Sequence, residues 1–385
     1  MNVVLDNAVV WPGDGRECLG HVVIRDGRIE QVGEGPSPCA GVDLSGLYLS
    51  PGLIDLMLLG GSGKSILRDG PREILRGAAR LGITSVQFCG GMVGWGRNLD
   101  YARRIREVMN DPEPDAARLL GWYPEGPFLD PNLTAAMPEH AVPPTSENVR
   151  QFLDEAGDTF PMINISPGLD GDVEAIRMCV EAGKIVSMAH SNASTERTRQ
   201  CLDAGTSVLG HFNCNNYGRF ESNGRKRLPT IEEVALTDDR VRFIHVIGDG
   251  VHTEDVFVQL CLRALGIEHL CVVTDAQPQA GCADGPFLAE DGRTFVKAGP
   301  VARTTDGKLV GSTWLLPDHF RNFIKMTGLP PREAIRAVTL NAAASLGLAD
   351  KLRVLAPGCA ADLVAWDAAL RVRRVWIGGC ELSSC

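Results

Sequence analysis

The chain has 385 residues, 44% hydrophobic and 22% charged, and its 38 Lys+Arg against 48 Asp+Glu give a net charge of −10. This is globular composition, which excludes disorder, collagen and coiled coil. The acidic balance argues against a general nucleic-acid or anionic-membrane binder, because both need a cationic surface.

No apolar run approaches the ~20 residues of a transmembrane helix. The start, MNVVLDNAVVWPGDG, lacks the basic residues, apolar block and cleavage site of a signal peptide, so a cytoplasmic chain is expected. In chain order, NVVLDNAVVW, HVVIRDGRIEQVG with its Asp-Gly turn, and GLYLSPG predict short strands. ADLVAWDAALRVRRVWIGGCEL, near the other end, predicts the same by its period-2 alternation. Each end has one apolar face and is too small for a core of its own. The two are therefore expected to pair into a small β-sandwich domain of residues 1–50 and 353–385.

Between them, buried-strand runs alternate with helical stretches. The strands are LIDLMLLGG, TSVQFCGGMV, RLLGWYPEGPF, PMINISPG, KIVSMAHSN, TSVLGHFNCN, VRFIHVIGDGVH and HLCVVTDA. Helical stretches such as GPREILRGAARLG and STERTRQCLDAG end at glycine, as helix C-caps do. Eight such alternations predict an α/β fold, a (β/α)8 TIM barrel over residues 51–352. No glycine-rich dinucleotide fingerprint or P-loop is present. The twelve cysteines are scattered, with no Cys-x-x-Cys pair, and read as reduced thiols.

Three of the eight histidines stand at predicted strand ends: His190 in VSMAHSN, His211 in VLGHFN and His252 in GDGVH. Glu125 in YPEGPF and Asp275 in VVTDA hold equivalent places. Singly, each has an ordinary explanation in packing or helix capping. Together, the barrel would bring all five to its catalytic face. Two imidazoles and a carboxylate make a three-ligand site for a divalent ion such as zinc. Glu125, His190 and His211 are assigned as ligands, Asp275 as general acid and base, and His252 as the group that polarises a carbonyl.

At these residues the sequence resembles the N-acetylglucosamine-6-phosphate deacetylases of the amidohydrolase superfamily. EGPF, SMAHSNAS, GDGVH and VVTDA match that family's motifs in order. KLVGST, with Val310 and Gly311, resembles its loop that closes over the sugar. The resemblance implies hydrolysis of the N-acetyl amide of an amino sugar 6-phosphate, and a homodimer. The common His-x-His of strand one is here Met57 and Leu59, and strand four offers Gly168, so one ion per chain is expected, with zinc the favoured choice. The family's His-x-Glu reads Tyr123-Pro124-Glu125; Met137 replaces a sugar-contacting His, with His140 three residues late. Cys214 replaces a phosphate-contacting Asn, leaving Asn213 and Asn215 on either side. Arg219 and the run Arg225-Lys226-Arg227 are the nearest phosphate candidates. Two rivals stand beside this reading. One is an amidohydrolase for an unphosphorylated or differently acylated substrate, and the other is a non-catalytic binding protein on the same fold.

Overall fold

The structure is a computed structural model that describes residues 2–90, 93–133, 138–212, 219–220, 224, 226–289, 292–352 and 354–382. All eight internal strands form where hydrophobic runs predict them. In chain order they are Leu53–Leu58, Ile83–Gly90, Arg118–Pro124, Met162–Asn164, Ile185–Met188, Thr206–Leu209, Phe243–Ile247 and Leu270–Val273, called here the first to the eighth strand. The third, second and first strands form one parallel arc, and the fourth to the eighth form another. A parallel bridge between Leu58 and Ala276 joins the first strand to the end of the eighth. Nearly every residue of these strands is buried, as expected of parallel strands covered on both faces. The arrangement is α/β of TIM-barrel type.

The helices take their predicted places at Pro71–Arg80, Asp172–Glu181, Thr195–Asp203 and Asp255–Leu265. The first stops at Leu81, and Gly82 follows with φ +82°, a conformation glycine adopts without the cost of a side chain. A side chain there would also run into Val364, 2.9 Å from an added Cβ. The helices clamp an aromatic cluster against the strands: Phe152 stacks on Phe160 at 5.6 Å and meets Phe128 edge-on at 5.9 Å. Each such buried ring contributes roughly 1.5–3 kcal/mol over its exposed state.

The two chain ends meet in one eight-stranded sheet. Leu363–Trp366 pairs antiparallel with Tyr48–Pro51, and Trp366 Nε1 donates to Ser50 Oγ at 2.8 Å. The strands Cys18–Arg25 and Arg28–Glu34 are joined by Asp26-Gly27, both at positive φ, the backbone that a tight two-residue hairpin turn requires. Leu5, Val10, Val22, Ile24, Leu363 and Trp376 form that sheet's core.

A further antiparallel sheet, not expected from the sequence, follows the eighth strand: Gly285–Leu288, Thr294–Ala298, Val301–Thr304 and Leu309–Ser312. Its last strand is tied to the eighth strand's end, where Ser312 N donates to the Asp275 carbonyl at 3.1 Å. Among the described residues no helix is long and apolar enough to cross a membrane.

Candidate functional site

The third strand delivers Glu125 immediately after Pro124. The fifth and sixth deliver His190 and His211, each two residues past the strand. These side chains meet. His190 Nε2 lies 2.7 Å and His211 Nε2 2.8 Å from the same oxygen of Glu125, and the rings stand 4.6 Å apart. Both histidines are buried, and the Glu125 side chain is about a fifth exposed. His190 Nδ1 lies 3.3 Å from the Leu133 carbonyl; donation there turns Nε2 towards Glu125. Burial alone would lift the Glu125 carboxyl, but the hydrogen bonds and charges of both histidines outweigh it and hold it well below the usual range.

Two imidazole nitrogens and a carboxylate oxygen, all within 4.8 Å of one another, are a donor set that fits a divalent ion of borderline softness. Met57, from the first strand, is buried in an apolar cluster with Cys89 and Tyr123 and offers no ligand there. Gly168 donates its N–H to Asp172 at 2.6 Å.

The seventh and eighth strands deliver His252 and Asp275, which face each other at 3.9 Å. His252 Nδ1 is 2.6 Å from Asp249 Oδ2, while Asp249 Oδ1 accepts from the N–H groups of Val251 and His252. Asp249 was not singled out from sequence; an Asp three residues before a His in a turn was the available signal. Burial raises the Asp275 carboxyl well above its usual range, and the charge of Glu125 adds to that, against a downward pull from His211. Behind Asp275, Thr274 Oγ1 donates to the fully buried Asp55 of the first strand at 2.7 Å, a second contact the sequence reading missed.

Gly311 lies against the Gln277 side chain, which an added Cβ would meet at 2.3 Å, and Val310 beside it is half-buried. The Arg227 guanidinium is exposed and pairs with Glu233. Arg219 lies on a two-residue strand paired with Arg227–Leu228. The Arg219 side chain, and the whole of Asn213, Cys214, Asn215, Arg225 and Met137, lie outside the described residues. His140 is half-buried and approaches Gly94.

The Amidohydrolase family matches this chain over residues 198–381. An N-acetylgalactosamine-6-phosphate deacetylase of Escherichia coli O157:H7 is 31% identical over 360 residues, covering 92% of this chain and 93% of that one. The N-acetylglucosamine-6-phosphate deacetylase of Bacillus subtilis (strain 168) is 27% identical, covering 90% and 88%. Among solved structures, a Mycobacterium smegmatis N-acetyl-D-glucosamine-6-phosphate deacetylase in complex with N-acetyl-D-glucosamine-6-phosphate superimposes with a TM-score of 0.88. It is 27% identical, with 99% of each chain covered. The Pasteurella multocida enzyme, at 24% identity and TM-score 0.89 over the whole of both chains, supports the fold. By its match to relatives across nine-tenths of its length, the chain belongs to the N-acetylglucosamine-6-phosphate deacetylase family of metal-dependent amidohydrolases.

Proposed function

We propose that this protein hydrolyses the N-acetyl amide of an amino sugar 6-phosphate, yielding acetate and the free amine. The observation that carries this reading is the meeting of Glu125, His190 and His211 at one point, with the facing pair His252 and Asp275 on the next two strands. Glu125, His190 and His211 would hold a single divalent ion, zinc by preference. Such an ion polarises a carbonyl oxygen, lowers the pKa of water and favours the ionised form of a neighbouring carboxylate. His252 donates a hydrogen bond to the amide oxygen. Asp275 accepts a proton from the attacking water and returns it to the leaving nitrogen.

In this reading the two strand arcs close as one (β/α)8 barrel, and residues 1–50 and 353–385 form a small β-sandwich domain beside it. Val310 and Gly311 close over the sugar, while Asn215, Arg219, Arg225 and Arg227 hold the phosphate. The working unit is a cytoplasmic homodimer. The relatives are named for both the gluco and the galacto sugar phosphates, so both are candidate substrates.

The ion pair of Arg227 with Glu233 favours one second reading, in which that arginine is not free for phosphate and the substrate is an unphosphorylated N-acyl sugar. Acetate release from paired phosphorylated and unphosphorylated N-acetylglucosamine and N-acetylgalactosamine separates the two. Charge-assisted contacts to a phosphate are worth roughly 1.5–3 kcal/mol each, so kcat/KM should favour a phosphorylated sugar by at least about 10²-fold. Equal values would establish the second reading, and no acetate from any of the four would overturn both.

A further inference from the structure

His252 can help the reaction only if the correct ring nitrogen faces the substrate and carries a proton. Its Nδ1 is turned inward onto Asp249 at 2.6 Å, which leaves Nε2 on the side of Asp275, 3.9 Å away. An imidazole with one nitrogen held by a fixed partner presents the other in a set direction. Holding Nδ1 in a buried site takes an acceptor that cannot turn away, and a carboxylate is the strongest such acceptor. Asp249 supplies one. It is 4% exposed, and its other oxygen is fixed by the N–H groups of Val251 and His252, so the carboxylate has little freedom to turn away.

The loop is held from two further sides: Asn322 donates to the Gly248 carbonyl at 3.0 Å and Thr253 Oγ1 to the Phe212 carbonyl at 2.9 Å. Among the described residues, His319, on the helix Leu316–Thr327, also lies close to the pair. Burial pushes its pKa down to about 4, so it stays neutral, and its Nε2 lies 3.1 Å from the Ser312 hydroxyl. Among the described residues, the carboxyls facing His252 are Asp249 on one side and Asp275 on the other.

We infer that Asp249 is a positioning residue for the reaction: its carboxylate holds His252 Nδ1 and so fixes the ring with Nε2 facing the substrate. This rests on the proposed deacetylase reading, in which His252 polarises the amide carbonyl. The arrangement parallels the carboxylate–imidazole pair of the serine hydrolases, where a buried carboxylate orients the ring and stabilises its cation.

The test uses the full-length, metal-loaded protein. In Asp249→Asn, whose amide oxygen can still accept the two backbone N–H groups, kcat for acetate release should fall about 10²-fold, with KM and metal content unchanged and part of the rate restored in Asp249→Glu. Because Asp249 acts through His252, Asp249→Asn should add little to the loss already caused by His252→Gln. An Asp249→Asn enzyme with undiminished kcat overturns the inference, and so do losses that add in full in the double variant. Asp249→Glu, which keeps the charge, decides the matter if Asp249→Asn fails to fold. The deacetylase reading fails separately, if the parent releases no acetate.

Discussion

Two of the five strand-end side chains stand on unusual backbone: His190 has φ +49° and Asp275 φ +51°. For residues with a Cβ this left-handed conformation costs about 1–2 kcal/mol, and it persists where the surroundings fix it. Both residues turn the chain sharply at the strand end, which aims their side chains at the site. His190→Ala should lose bound metal and acetate release together, because two remaining protein ligands rarely hold zinc. Metal analysis showing a full equivalent in that variant would remove His190 from the ligand set. Asp275→Asn keeps the shape of the side chain but cannot accept the proton, so kcat should fall by about 10³-fold while metal content stays near that of the parent. Normal turnover in a folded, metal-loaded Asp275→Asn protein would refute its assignment as acid and base. Glu125, His190, His211, His252 and Asp275 were legible because each follows a recognisable hydrophobic strand. Asp249 and Asp55 were not: one reads as an ordinary turn residue, and the other is a lone acid inside an apolar run.

The elements follow from hydrophobic period and glycine placement, and the eight strands lie where those signals put them. The sheet of Gly285–Ser312 escaped notice, although Thr294–Ala298 alternates exposed and buried residues and an Asp306-Gly307 turn follows. Its strands are short and half-exposed, so they lack the continuous apolar run that marked the others. Contacts between elements were also illegible, since no local pattern reports them. Asp172, fully buried at the start of one helix, pairs with Arg197 of the next at 2.5 Å and holds Gly168 of the loop between them and the fourth strand. The same loop is tied to the fifth strand's end, where Ser191 Oγ donates to the Pro167 carbonyl at 2.5 Å. Arg197→Met should cost about 3 kcal/mol in urea unfolding, because it leaves Asp172 buried without its cation. A change below about 0.5 kcal/mol would show that water compensates the carboxylate.

At the scale of the whole molecule, the pairing of the chain ends was readable because each end offered one apolar face with nothing else to cover it. The structure joins them through Tyr48–Pro51 and Leu363–Trp366, next to the first strand. Stability also depends on acids held inside. Burial raises the Asp55 pKa to about 6, against the downward pull of the Thr274 hydroxyl and the Met57 N–H. Below its ordinary value near 4 the group is protonated in both folded and unfolded chains. Between about 4 and 6 only the unfolded chain ionises, so the folded state loses stability as pH rises through this window, by on the order of 2–3 kcal/mol. Asp55→Asn should therefore flatten the fall in stability between pH 4 and 6, measured by urea unfolding at each pH; a fall identical to the parent's would contradict the buried-acid account.

If one ion, held by three side chains, makes this chain a deacetylase, a metal titration will show it. Chelated protein is mixed with N-acetylglucosamine-6-phosphate, and acetate release is followed as zinc is added back. Release should be absent at first, rise linearly, and saturate at one equivalent per chain. Saturation only at two equivalents, or release that chelation leaves untouched, would contradict a single-ion deacetylase.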